Sequence, residues 1–112
     1  LTDAGAGSSY AGVISGGGNL ILTTGTQTLS VANAYTGLTT ISGGTLNLTD
    51  VNAIATSSSL ALVGGTLDID TVGANIKGLS GAGAGGVTLG SNTLTLTDAG
   101  AGSSYAGVIS GG

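Results

Sequence analysis

Asp68 and Asp70, two positions apart in "TLDID", form the only carboxylate pair in a 112-residue chain with no histidine, no cysteine and one basic residue, Lys77. On an extended strand both side chains point the same way, about 6.5 to 7 Å apart. That separation falls within the range of inverting glycosidases, where one carboxyl donates a proton while the other activates water. Cleaving a sugar also requires groups that grip and orient the ring, and the chain offers no Arg, Glu or Trp for that task. Calcium is the other chemistry open to the pair, but it takes about 6 to 8 oxygen ligands. The calcium-binding nonapeptide G-G-x-G-x-D is not met either, because "GGTLDID" lacks its third glycine. Asp68 and Asp70 are therefore weak metal candidates on a solvated strand face; no cofactor is expected, and calcium is expected to be dispensable.

Other chemistry fails on the missing partners. Serine and threonine are plentiful, but a hydroxyl nucleophile needs an adjacent base, and the absence of histidine removes the usual one. "GAGAGG" at 81–86 formally satisfies G-x-G-x-x-G, yet a dinucleotide site needs a helix after it, and "VTLG" reads as a strand. No catalytic residue is expected. Five acidic residues against Lys77 give a net charge of -4 and leave no basic surface to neutralise phosphates, so nucleic acid is excluded as a partner. No apolar run approaches the roughly 18 residues of a membrane helix, and no membrane insertion of this segment is expected. The remaining chemical resource is hydroxyl display: Thr45, Asn47 and Thr49, or Thr93, Thr95 and Thr97, alternate with apolar residues and face outward together. A regular array of that kind could bind ice, calcium or a glycan.

The elements that carry these residues follow from composition and spacing. Glycine fills 24 positions and proline none, the only aromatics are Tyr10, Tyr35 and Tyr105, and charged residues make up 5% of the chain. Mean hydropathy is +0.51, so disorder, which combines low hydrophobicity with high net charge, is a poor reading. Four segments share period-2 alternation: "NLILT" at 19–23, "TLNLT" at 45–49, "TLDID" at 66–70 and "TLTLT" at 93–97. Most follow a glycine-rich turn such as "ISGGTL" or "LVGGTL", where glycine accepts positive φ and turns a corner. The leading leucines are Leu20, Leu46, Leu67 and Leu94, so a longer interval alternates with a shorter one, and each interval reads as one coil.

Such a unit cannot bury its apolar side alone, whereas stacked units can. The fold class is therefore all-β, a parallel β-helix solenoid of about four coils per repeat. The expected inward ladder is Leu20, Leu46, Leu67 and Leu94, with Leu22, Leu48, Ile69 and Leu96 beside it. Tyr10 and Tyr35, at matching offsets before Leu20 and Leu46, are expected to stack at one corner. The chain also repeats itself at long range, since "LTDAGAGSSYAGVISGG" at 1–17 returns unchanged at 96–112. Residues 1–95 then form one tandem unit of two related halves of about 47 to 48 residues, and 96–112 open the next, continuing the solenoid by about 19 Å per unit.

These motifs resemble a known family. "GNLILTTGTQTLSVANAYTGLTTISGGTLNL" at 18–48, with its "ANAYTG", "TTI" and "GGTL" signatures, is similar to the passenger-associated repeat of bacterial autotransporter adhesins, and "SSYAGVISGGGNLIL" to its companion form. The resemblance covers about half of the unit closely and departs at "GAGAGG". It implies a right-handed β-helical passenger segment, secreted or on the cell surface of a diderm bacterium, and transfers no catalytic residues. The function expected is that of a stalk acting by length, stiffness and surface display, with neighbouring repeats or end-to-end copies, and host or cell surfaces, as partners.

Overall fold

The computed structural model describes residues 8–81, 85–98, 105 and 107–111. Fourteen short strands among the described residues follow one another in repeated circuits. β1 (Ser8–Tyr10), β2 (Ser15–Gly16) and β3 (Leu20–Leu22) make the first, and β4 (Thr26–Leu29), β5 (Ala34–Tyr35) and β6 (Thr39–Ile41) the second. β7 (Thr45–Leu48) and β8 (Leu60–Leu62) belong to the third, with β9 (Thr66–Asp68), β10 (Ala74–Ile76) and β11 (Leu79–Ser80) forming the fourth. β12 (Gly86–Thr88) and β13 (Leu94–Leu96) lie in the fifth, and β14 (Val108–Ser110) opens another. There is no helix among the described residues.

Among the described residues every strand pairing is parallel, and the pairings sort the strands onto three sides. The first side is β1-β4-β7-β9-β12-β14 and the third is β3-β6-β8-β11. The second consists of two pairs, β2-β5 and β10-β13. Between those pairs the third coil runs through a turn-rich stretch, 51–57, still tied into the stack: the Asn75 amide donates to the Val51 carbonyl at 2.8 Å. On the first side one row runs Ser8, Gln27, Leu46, Leu67, Val87, Ile109, at nearly even intervals along the chain. There are thus about five short coils in place of the four longer ones expected from the leading leucines.

This corrects the expected ladder. Leu46 and Leu67 are direct partners, but Leu20 pairs with Thr39 on the third side and Leu94 with Ala74 on the second. Alternation fixes whether a residue points in or out; it does not say which side it lies on, and all three sides use the same Leu-x-Leu element. The two widest intervals, Leu20 to Leu46 and Leu67 to Leu94, each pass over a rung with a weak signature. "TQTL" places Gln27 inward, only 9% exposed, and "GVT" offers Val87 alone. Tyr10 and Tyr35 also fail to stack. Tyr10 lies on the first side opposite Leu29, and Tyr35 lies on the second opposite Gly16. The stretch from Tyr10 to Tyr35 exceeds one coil by about one side.

Inward residues form an aliphatic core. Leu29, Leu46, Leu48, Leu67, Ile69 and Val87 come from the first side or just after it, with Leu22, Ile41, Leu60, Leu62 and Leu79 from the third, all buried. Leu96, expected inward, is 46% exposed because β13 is the outermost strand of its pair. The corner before the first side is made by Gly25, Gly44 and Gly65, with φ of 83°, 74° and 70°. They stack one above another so closely that a Cβ on Gly44 would collide with the Gly25 carbonyl oxygen. The glycine turns read from sequence thus serve both the left-handed corner and the contact between coils.

Candidate functional site

The outer surface of the first side carries the residues that chemistry singled out. Register places Thr26, Thr45 and Thr66 in one row, and Thr28, Asn47, Asp68 and Thr88 in the next. Only the second coil keeps threonine in both rows, and Asn47 and Asp68 break the array. Asn47 Nδ2 reaches Thr28 Oγ1 at 3.5 Å, a long contact, and its Oδ1 is buried without a partner. The surface is a mixed hydroxyl, amide and carboxylate strip, half-buried between neighbouring strands.

Asp68 ends β9, and the chain turns immediately after it. Asp68 Oδ1 accepts the Asp70 amide at 3.1 Å, the side-chain turn that aspartate forms with the backbone two positions on. Asp50 does the same with the Asn52 amide at 2.8 Å. Because of that turn, Asp70 is not one strand repeat beyond Asp68 on a flat face, as the sequence suggested. Its carboxyl stands within hydrogen-bonding reach of the Asp68 carboxyl. That hydrogen bond and the Asp68 charge raise the Asp70 pKa above the usual carboxylate range, with a smaller contribution from desolvation. Asn92 Nδ2 closes the turn from the next coil by donating to the Asp70 carbonyl at 2.7 Å and to the Ile69 carbonyl at 3.3 Å. Among the described residues no third acidic or imidazole group joins the two aspartates.

"GAGAGG" leads into β12, a strand rather than a helix; residues 82–84 lie outside the described residues. Much of the tandem segments, 1–7, 99–104, 106 and 112, likewise lies outside them.

One polar cluster escaped the sequence reading. Tyr35 is 2% exposed, and its hydroxyl meets Thr39 Oγ1 at 2.5 Å. Thr39 Oγ1 donates to Ser57 Oγ at 2.7 Å, and Ser57 Oγ donates to the Gly37 carbonyl at 2.7 Å. Burial raises the Tyr35 pKa, while the hydrogen bonds with Thr39 and Ser57 partly offset the rise. Nearby, the Asn33 side chain spans three coils: Oδ1 accepts the Ile14 amide at 2.9 Å and Nδ2 donates to the Ala53 carbonyl at 3.0 Å. The only signal was a run of polar residues, "ANAY" and "TSSS", interrupting the apolar alternation, and such a run reads first as a surface loop. The chain of hydroxyls satisfies the hydrogen bonding of its own buried polar groups.

Five three-sided coils in parallel register define a parallel β-solenoid. Sequence comparison agrees: the chain is 38% identical over 118 aligned positions to the BmaC adhesin autotransporter of Brucella suis biovar 1 (strain 1330), with 99% of this chain aligned. The chain spans 3% of that relative's length. No family profile and no solved structure matches the chain. The resemblance to autotransporter adhesin passenger repeats therefore extends over nearly the whole chain, and the β-solenoid is the architecture it implied.

Proposed function

We propose that this chain is a length of the stalk of a bacterial autotransporter adhesin, displayed on the cell surface or secreted, and that it works by length, stiffness and display. The observation that carries the reading is the unbroken parallel pairing of the first side from β1 to β14. Each coil rests only on its neighbours, which is how solenoids convert sequence into length. No catalysis is assigned to this segment. Its partners are the adjoining repeats of the same chain or end-on copies, which would pair with the outermost strands β1 and β14; Val108 and Ile109 of β14 are 68% and 48% exposed. Contact with host or cell surfaces is assigned to the assembled protein.

Negative-stain microscopy of chains carrying one, two and four copies tests this reading. Rods should lengthen in proportion to copy number, by about 4.8 Å per coil. Round particles of growing diameter would overturn it. A second reading, binding through the Thr26, Thr45 and Thr66 row, rests on the in-register stacking of those hydroxyls. Thermal hysteresis, or a rise in melting temperature on calcium addition, would favour that reading over the stalk.

A further inference from the structure

The same seventeen letters occur at 1–17 and 96–112, yet their described residues occupy different sides of the solenoid. In the first copy Ser8–Tyr10 lies on the first side and Ser15–Gly16 on the second. In the second copy Tyr105, the counterpart of Tyr10, bridges Gly81 at the end of the third side. Val108–Ser110, the counterpart of Val13–Ser15, lies on the first side against β12. Both elements have moved back by one side. We propose that the sequence unit and the coil are out of phase, so that each unit, 1–95 and its successors, advances the solenoid by four and two-thirds coils.

The register gives the cause. One row on the first side runs from Ser9 through Thr28, Asn47 and Asp68 to Thr88 and so closes four coils. The next place in that row, the partner of Thr88, is Ser110. The sequence counterpart of Ser9 is Ser104, which precedes Ser110, so the repeated segment arrives about one side too early to close the fifth coil. The next element agrees. A following copy's Leu20 would fall at position 115, one coil on from Leu94, and would cover the half-exposed β13 on the second side. In the first copy Leu20 lies on the third side. The shift is tolerated because the three sides accept one another's Leu-x-Leu elements.

An exposed feature of the unit is therefore displayed a third of a turn further round in each copy, about 22 Å along the axis. It returns to the same side after three copies, about 67 Å. The array presents each patch to all directions around the stalk, and a partner gripping one side meets it at every third copy.

Cysteine pairs in the cysteine-free 112-residue chain test the phase. Thr88 and Ser110 are register partners, so T88C/S110C should oxidise at a rate near that of the control pair T28C/N47C, whose positions are also register partners. L89C/Y105C reports the in-phase arrangement, in which Tyr105 would repeat Tyr10's place on the first side, and it should close at least about tenfold more slowly. Faster closure of L89C/Y105C, or failure of T88C/S110C while the control closes, overturns the proposal. In the unmodified chain, nuclear Overhauser contacts between Val87 and Ile109 should be present. Contacts from Leu89 to Tyr105 in their place would also overturn it.

Discussion

Replacing Gly44 by alanine tests the stacked corner directly. Gly44 has φ of 74°, a region that costs an L-residue roughly 1 to 2 kcal/mol. The new Cβ would strike the Gly25 carbonyl oxygen and lie 2.8 Å from the Gly25 nitrogen. Both are backbone atoms of the coil below, so neither can swing aside as a flexible side chain would. Relief requires the coils to part locally, and overpacking of this kind costs about 1 to 3 kcal/mol. The lower entropy of the unfolded alanine chain returns about 0.4 to 1 kcal/mol. The net expectation is a loss of about 1 to 5 kcal/mol. Gly18 provides the contrast: a Cβ there meets nothing within 4 Å, and its φ is not in the left-handed region. Gly18→Ala should be neutral or stabilising by about 0.4 to 1 kcal/mol. Urea unfolding of both variants followed by circular dichroism measures the difference. Equal midpoints for the two would refute the claim that glycine carbonyls and Cα atoms of successive coils touch at this corner.

Leu46 is 1% exposed, so Leu46→Ala should cost about 2 to 5 kcal/mol, and Leu46→Asp should cost more because a charged carboxylate would be buried between Leu67 and the Gln27 side chain; denaturant midpoints check both. Leu96→Ala, at a position 46% exposed, should cost well under half as much as Leu46→Ala. Asp70, whose pKa is raised in the folded state, binds its proton more tightly folded than unfolded. Its contribution is present below the unfolded carboxylate pKa and lost as pH rises through the folded one, so Asp70→Asn should be neutral to stabilising at pH 7, with the difference vanishing in acid. Melting curves from pH 2.5 to 7 would show this, and a larger benefit at low pH than at neutral pH would contradict it. The same sign applies to Tyr35, whose pKa burial raises: stability should fall as pH climbs past about 10, where the unfolded tyrosine ionises first. Tyr35→Phe should flatten part of that alkaline loss while costing about 0.5 to 1.5 kcal/mol for the missing hydrogen bond.

The fold class was legible because period-2 alternation and glycine corners are local signals, and both hold in the structure at Leu46, Leu48, Leu67, Gly44 and Gly65. Coil length was not legible, because it depends on rungs that carry little hydrophobic pattern. Gln27 fills an inward place as its stem is covered by neighbouring coils, and Val87 does so as the lone large apolar residue of "GVT". Leu20 and Leu46 look consecutive in the sequence, so β4, a weak strand between them, does not announce itself as the first-side rung that precedes Leu46. The polar interior was hidden for a related reason. Asn33 and Ser57 look like loop residues until the stack supplies their partners, and those partners lie 18 to 20 residues away in sequence.

The acidic pair shows the same dependence on geometry from the other direction. Two aspartates spaced for a strand face would have stood apart along it. The turn that begins at Asp68 instead brings them together and commits one carboxylate oxygen of Asp68 to the Asp70 amide. Asn92 of the next coil then fastens the turn from outside through its two backbone carbonyls. The corner where chemistry looked most plausible is therefore held by its neighbour coil, as are the glycine corner and the buried hydroxyls. In each case a polar or conformational demand of one coil is met by the coil beside it. A coil excised from the stack would lose its hydrophobic cover together with the partners of its amides, carbonyls and side chains, which makes the array the unit of stability and its length the property that repetition can change.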